Sequence, residues 1–242
     1  MKKRIAITAA IALLAILSTM CFAACEQAIT ADEAMKLLSD SIAEAKEQSG
    51  YFVKYKTFFS NGETEEYRLY VKGIGTESVA AAYDHTVDKV VSTSTEYLYW
   101  GAASQVKEDK KAEDVVKTGM LSQAGEGNNK YWVIDDTITL DDFLARAEVA
   151  PYTLDAICAY IENSLTADKM TITSAKTKGW VDYAFVSEVK DESSPLYGCK
   201  DIELRATKDR LSTIYFTNAK GEDVQINIVY GEGRVLNLPQ WK

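Results

Sequence analysis

Two spacings of apolar residues divide the chain. Between Ala31 and Gln48, Met35, Leu38, Ile42 and Ala45 recur at three- and four-residue steps, which lines one side of a helix and leaves its other sides polar. Thr30-Ala31-Asp32-Glu33 forms a capping box at its start, and Gly50 lies at its end. From Tyr51 the spacing falls to two. Tyr51, Val53 and Tyr55 alternate with Lys54 and Lys56, so residues 51–59 are read as a strand. Asn61-Gly62 tolerates the positive φ of a tight hairpin turn and leads into a return strand over residues 65–72. Three further short strands are expected at residues 76–84, 87–94 and 96–102, with Asp84-His85 and residues 92–95 as the breaks between them.

The alternation then stops. Residues 104–129 are first charged and then rich in Gly and Asn, which predicts an irregular excursion with one short helix. Residues 131–134 suit a brief strand. Thr139-Leu140-Asp141-Asp142 opens a short helix with a Thr cap and an acidic first turn, and a second helix is expected over residues 152–165, behind Pro151. Strands return at residues 170–176, 180–189, 199–207, 211–218 and 223–229, separated by turn compositions such as Lys178-Gly179 and Lys220-Gly221-Glu222. Ile202, Leu204 and Ala206 alternate with Asp201, Glu203 and Arg205, so these strands have one wet and one dry face. The pattern predicts an α+β chain: an antiparallel sheet of about ten strands whose dry face is covered by a few helices. Residues 31–242 contain no visible repeat and no linker, and are read as one domain.

The first 25 residues decide where this domain works. Lys2, Lys3 and Arg4 precede an uncharged apolar run over residues 5–22, followed by Ala23, Ala24 and Cys25. This order resembles a bacterial lipoprotein precursor, in which the cysteine after a Leu-Ala-Gly/Ala-Cys box is acylated and becomes the new N-terminus. Here the box is Phe22-Ala23-Ala24-Cys25, with Phe in place of the usual Leu. Cys21 is the poorer candidate because Met20, not a small residue, precedes it. The competing reading is an uncleaved membrane helix, since residues 5–24 are just long enough to span a bilayer. The small-residue site and the polar switch at Glu26 favour cleavage. The resemblance implies a signal peptide over residues 1–24, lipidation at Cys25 with a tether to residue 30, and a cell-membrane location on the extracytoplasmic face.

Charge narrows the partners. Without the three basic residues of the leader, 24 basic side chains face 36 acidic ones, a formal charge of −12. Such a surface repels nucleic acid and anionic lipid headgroups, so membrane contact is expected through the acyl chains on Cys25. Two cysteines remain. Cys158 and Cys199 can form a bridge in an oxidising compartment, worth a few kcal/mol for the roughly 40-residue loop it would close. Cys158 shares a helical stripe with Leu154, Ile161 and Leu165, which favours two separate thiols.

The order of elements, from one amphipathic helix through about five meandering strands and a helical insertion to about five more strands, resembles the lipoprotein-carrier fold of the LolA/LolB type and its mycobacterial lipoprotein relatives. That resemblance is architectural and matches no short motif. It implies a strongly curved, incomplete barrel of about 10–11 strands whose concave face holds acyl chains beneath helical lids. The residues expected to border such a cup are Met35, Leu38, Ile42, Tyr55, Tyr67, Trp100 and Tyr183. Ordinary strand packing explains the same aromatics without any ligand.

Catalytic chemistry has little support. His85 is the single histidine, it is read as lying in a turn, and no Gly-x-Ser-x-Gly, His-Glu-x-x-His or Cys-x-x-Cys pattern accompanies it. Asp135, Asp136, Asp141 and Asp142 lack the glycine and closing Glu of a calcium loop. The expectation is a non-enzymatic lipoprotein, without cofactor or metal, that binds a lipid or other apolar ligand. A surface lipoprotein with a filled core that acts through protein contact is the alternative, and a hydrolase a remote third.

Overall fold

The computed structural model describes residues 31–107, 115–146, 158–159, 170–177, 180–185, 188–190, 192, 196–207, 210–231 and 236–242. Helix α1 is Ala31–Lys46 and helix α2 is Leu140–Arg146. The strands are β1 (Tyr51–Phe58), β2 (Thr64–Lys72), β3 (Ala80–Lys89), β4 (Ser92–Ser104), β5 (Val116–Ala124) and β6 (Tyr131–Asp135), then β7 (Met170–Thr177), β8 (Trp180–Phe185), β9 (Lys200–Thr207), β10 (Arg210–Thr217) and β11 (Asp223–Tyr230). All eleven form one antiparallel sheet, in the order β6-β5-β4-β3-β2-β1-β11-β10-β9-β8-β7. The sheet is open, with β6 and β7 at its two ends. Two consecutive meanders are joined at the centre by β1 and β11, so the last strand of the chain pairs with the first.

Local chemistry fixes several hairpins. Asn61 Oδ1 accepts from the Glu63 N–H at 3.0 Å while Gly62 takes φ 85°, which turns β1 into β2. Asn218 Oδ1 accepts from the N–H groups of Lys220 and Glu222, which turns β10 into β11.

The structure corrects three stretches. Where three strands are expected between residues 76 and 102 there are two long ones, and β3 runs straight through Asp84 and His85. The turn falls at Val90-Val91, which are 78% and 91% exposed. Two adjacent valines read as strand interior because β-branched side chains favour extended backbone, and only pairing of Lys89 with Ser92 makes them a turn. The second correction concerns residues 104–129. They include β5, which pairs with β4 from Tyr99↔Leu121 to Ser104↔Val116, and the Gly- and Asn-rich stretch is the turn into β6. Gly119 and Gly125 break the apolar alternation of β5 and its turn, which hid the strand. At the other end, β8 is described over Trp180–Phe185, and Val189, expected in the same strand, instead bonds the backbone of Gly198 and Cys199. Most of the helix expected over residues 152–165 lies outside the described residues; Cys158 and Ala159 within it are helical.

Register puts the apolar side chains on one face. Starting at β1, Tyr51, Val53 and Tyr55 lie opposite Val71, Leu69 and Tyr67 on β2 and opposite Tyr230, Ile228 and Ile226 on β11. This inner face is covered in two patches. Leu38, Ile42 and Ala45 of α1 pack into a cluster with Val53, Leu204, Ile214, Ile226 and Ile228. Phe143 of α2 and Ile138 pack with Leu69, Val71, Tyr83 and Trp100. Helix α1 lies against β10 and also reaches β7, three places away in sheet order, so this half of the sheet curls over it. On the opposite face of β1–β3, Phe52 packs on Tyr70, and beside them Lys56, Glu66, Arg68 and Asp84 form a chain of ion pairs. Asp84 is buried, and desolvation pushes its carboxyl up against the pull of the Arg68 guanidinium at 2.7 Å.

Candidate functional site

One lateral row of the inner face crosses eight strands. In register it reads Tyr183, Leu204, Ile214, Ile226, Tyr55, Tyr67, His85, Glu96, from β8 to β4. The row passes between the two packed clusters. Its aliphatic members are buried in the α1 cluster, whereas Tyr55, Tyr67 and His85 are only half-buried. Tyr55 meets Tyr67 edge-on at 6.3 Å between ring centroids, and Phe216 and Tyr83 extend the aromatic contact on either side. Edge-to-face packing leaves part of each ring face open, which suits contact with an apolar chain.

A polar group closes the β2–β4 end of this seam. Glu65 Oε1 lies 2.9 Å from His85 Nε2 and accepts from the Tyr67 hydroxyl at 2.9 Å, and the Tyr67 and His85 rings stack at 4.2 Å. Lys54, Lys56, Arg68 and Lys72 all alternate onto the opposite face, so the ionisable residues at register positions beside the seam are Glu65, His85 and Glu96. His85 is therefore a strand residue held by a carboxylate, not the loop residue its flanking Asp suggests. The alternation Ala81, Tyr83, His85, Val87 was the available signal, masked by the polar pair Asp84-His85.

The other expected site residues separate into distinct environments. Leu38 and Ile42 are 2% and 3% exposed and lie inside the packed cluster. Met35 is on α1, with its side chain outside the description, as is that of Tyr183 on β8. Trp100 is buried beside α2 and donates its Nε1–H to Ile138 O at 2.9 Å, a contact that anchors the approach to that helix. Cys158 and Cys199 are both buried thiols of the α1 cluster, with no disulfide between them, and burial pushes the Cys199 thiol up. Cys25 lies outside the described residues.

Three of the four aspartates near α2 are engaged separately. Asp135 accepts from Thr137, Asp136 pairs with Lys117 at 2.7 Å, and Asp142 accepts from the Thr139 hydroxyl at 2.7 Å while the Asp142 N–H donates back to Thr139. These bonds hold all three carboxyls below the usual carboxylate range. Among the described residues no group of carboxylates, thiols or imidazole is gathered for a metal ion.

Two features lay beyond sequence reasoning. The C-terminal segment 236–242 runs across β4: Leu238 packs on Gly101, Trp241 pairs beside Gln105, and Lys72 Nζ donates to Leu236 O at 3.1 Å. A cleft of about 420 Å³ opens beneath it, lined by Lys72, Ala80, Ala103, Ser104, Leu236 and Leu238 among others. The second is Tyr230, whose hydroxyl is buried beneath the α1 cluster. Neither segment carries a local motif.

No family model matches this chain, and no curated protein matches it. Among solved structures it is similar to the crystal structure of LprF from Mycobacterium bovis, over 89% of this chain and 99% of that one, at 12% identity and a TM-score of 0.40. A likeness of that size leaves fold and function to this chain's own geometry. Among the described residues no helix is long and apolar enough to cross a membrane.

Proposed function

We propose that the protein is a lipid-anchored, extracytoplasmic, non-enzymatic binding protein that seats an apolar or amphipathic ligand along the Tyr55–Tyr67 seam of its inner face. The observation that carries this reading is the half-burial of Tyr55 and Tyr67 on a face whose two buried clusters, packed by α1 and α2, lie on either side of them. Apolar surface left partly open between two closed patches gains free energy when a ligand covers it, at roughly 25 cal/mol per Å². Anchoring through Cys25 rests on the Phe22-Ala23-Ala24-Cys25 box, and the acidic surface leaves the acyl chains as the means of membrane attachment. The ligand seat is the seam and not the space under α1, because Leu38 and Ile42 fill that space.

That same packing favours one second reading, a surface lipoprotein whose interior is filled by its own side chains and whose seam meets a protein partner. Mass spectrometry of an organic extract of the protein purified from membranes separates the two. A stoichiometric lipid or other apolar molecule, lost from Tyr55→Ala/Tyr67→Ala, supports the ligand reading. An extract containing only the protein's own acyl chains, with no uptake of a fluorescent fatty acid, defeats it.

A further inference from the structure

On the face opposite the seam, the C-terminal segment 236–242 spans a trough in the sheet. Lys72 of β2 lies opposite Ala80 of β3, and Gly101 of β4 stands next in the row. A Cβ on Gly101 would lie 2.6 Å from Leu238 Cδ1 and 3.1 Å from Ala80 Cβ, so Leu238 rests where that side chain would be. The end of the segment is pinned to the sheet. The Trp241 N–H donates to Ser104 O at 3.2 Å, its indole N–H to Ala103 O at 3.3 Å, and the Lys242 N–H to Trp132 O at 3.0 Å. Its start is held by Lys72 Nζ, which donates to Leu236 O at 3.1 Å. A segment tied at both ends over small side chains keeps the cleft of about 420 Å³ open before any ligand arrives, and that volume lies within the roughly 300–1,000 Å³ of small-molecule sites.

We propose that this cleft takes the carboxyl end of a short peptide, with Lys72 meeting the carboxylate. The site is separate from the seam and does not depend on the seam's ligand. Charge selects the carboxylate. In a chain with 36 acidic residues, no Asp or Glu lines the cleft among the described residues, and Lys72 is its one charged side chain. Leu236 O takes one of the three Lys72 N–H donors, and no carboxylate among the described residues pairs with it, which leaves donors for an anion from outside. The same absence of acid disfavours a free amino acid, whose ammonium adjoins its carboxylate and would stand unmatched. At the carboxyl end of a peptide the nearest amino group is an uncharged amide. Ser78, Ser104, Asn237 and Gln240 add hydroxyls and amides that both donate and accept, as the N–H and C=O of peptide bonds require. Val79, Ala80, Leu238 and Pro239 offer apolar surface for an aliphatic side chain. Capture of a terminal carboxylate by donors placed in a cleft is a recurrent mode of peptide recognition.

The test uses the full chain in phosphatidylcholine nanodiscs, with empty nanodiscs subtracted, and titration calorimetry with three probes: N-acetyl-alanyl-leucine, its C-terminal amide and free leucine. The parent should bind the acid about 10–100-fold more tightly than the amide, as expected for a hydrogen bond between charged groups, and more tightly than leucine. Lys72→Met keeps the aliphatic stem and removes the charge, so the preference for acid over amide should collapse while amide binding persists. If Lys72→Met weakens acid and amide by the same factor, the lysine only holds the C-terminal segment in place and the carboxylate assignment is overturned. An acid preference that survives in Lys72→Met overturns it as well, as does a parent that binds acid and amide equally. If the parent binds none of the three, the cleft is no peptide site. Each of these failures leaves the seam reading untouched, because the seam lies on the other face of the sheet.

Discussion

Leu38 is the position at which packing and function can be separated. Its side chain is 2% exposed on the buried side of α1, enclosed with Val53, Ile226 and Ile228, so no space remains for a larger group. Leu38→Trp forces a bicyclic ring into this cluster, and overpacking of a filled core costs about 1–3 kcal/mol. For a chain of this size each kcal/mol lowers the melting temperature by about 2–4 °C, so a fall of roughly 2–12 °C is expected. Thermal and urea unfolding followed by circular dichroism measure it. Ligand uptake should nevertheless persist, because Tyr55 and Tyr67 belong to the half-buried seam and not to the space filled by Leu38. The two readouts test different links. Unchanged stability would refute the packed interior beneath α1. A stable variant that no longer takes up lipid would move the ligand seat from the seam to the helix.

Other consequences follow from single contacts. A Cβ on Gly119 would stand 2.2 Å from Asp135 O and 2.8 Å from Asp136 Cα, backbone atoms that cannot swing away, so Gly119→Ala should cost about 2–3 kcal/mol and unprotect β6 in hydrogen exchange. Protection of β6 equal to the parent's would refute that close approach. Val90→Ser/Val91→Asn should change stability by no more than about 0.5 kcal/mol in urea unfolding, since two exposed valines bury little; a larger loss would mean the tip is packed. Asp142 has its folded-state pKa lowered by Thr139, so its contribution is present above the unfolded carboxylate pKa and is lost as pH falls through the folded value. Acid titration of Trp100 fluorescence, which reports on the neighbouring α2, should lose this low-pH step in Asp142→Asn; an unchanged step would assign it elsewhere. Cys25→Ser should abolish palmitate labelling and membrane partitioning, and continued labelling would move the lipid to Cys21.

Much of this architecture was legible in the chain because it is local. The repeat of Leu38, Ile42 and Ala45 marks α1, the alternation of Tyr51, Val53 and Tyr55 marks β1, and Asn61-Gly62 and Lys220-Gly221 mark turns, since backbone preference and side-chain period act over a few residues. The dry face of β9 to β11 could be read for the same reason. What the chain could not state alone is how distant segments meet. Val90-Val91 has the composition of a strand, yet strand pairing between Lys89 and Ser92 bends it into a turn. Residues 116–124 have a glycine-broken alternation and become a strand only because β4 and β6 offer edges on both sides. Whether Leu38 borders a cavity or fills one depends on residues more than 150 positions away, Ile214, Ile226 and Ile228. The half-open seam is likewise a product of register, which aligns Tyr55 with Tyr67 and Ile226 and leaves the row between two helical covers. Burial of the Tyr230 hydroxyl is decided by the packing around β11, the last strand of the chain, far from α1 and Cys158 in sequence. Periodicity sets which side of each element is apolar; only the closing of long loops decides what that side touches and what it leaves exposed.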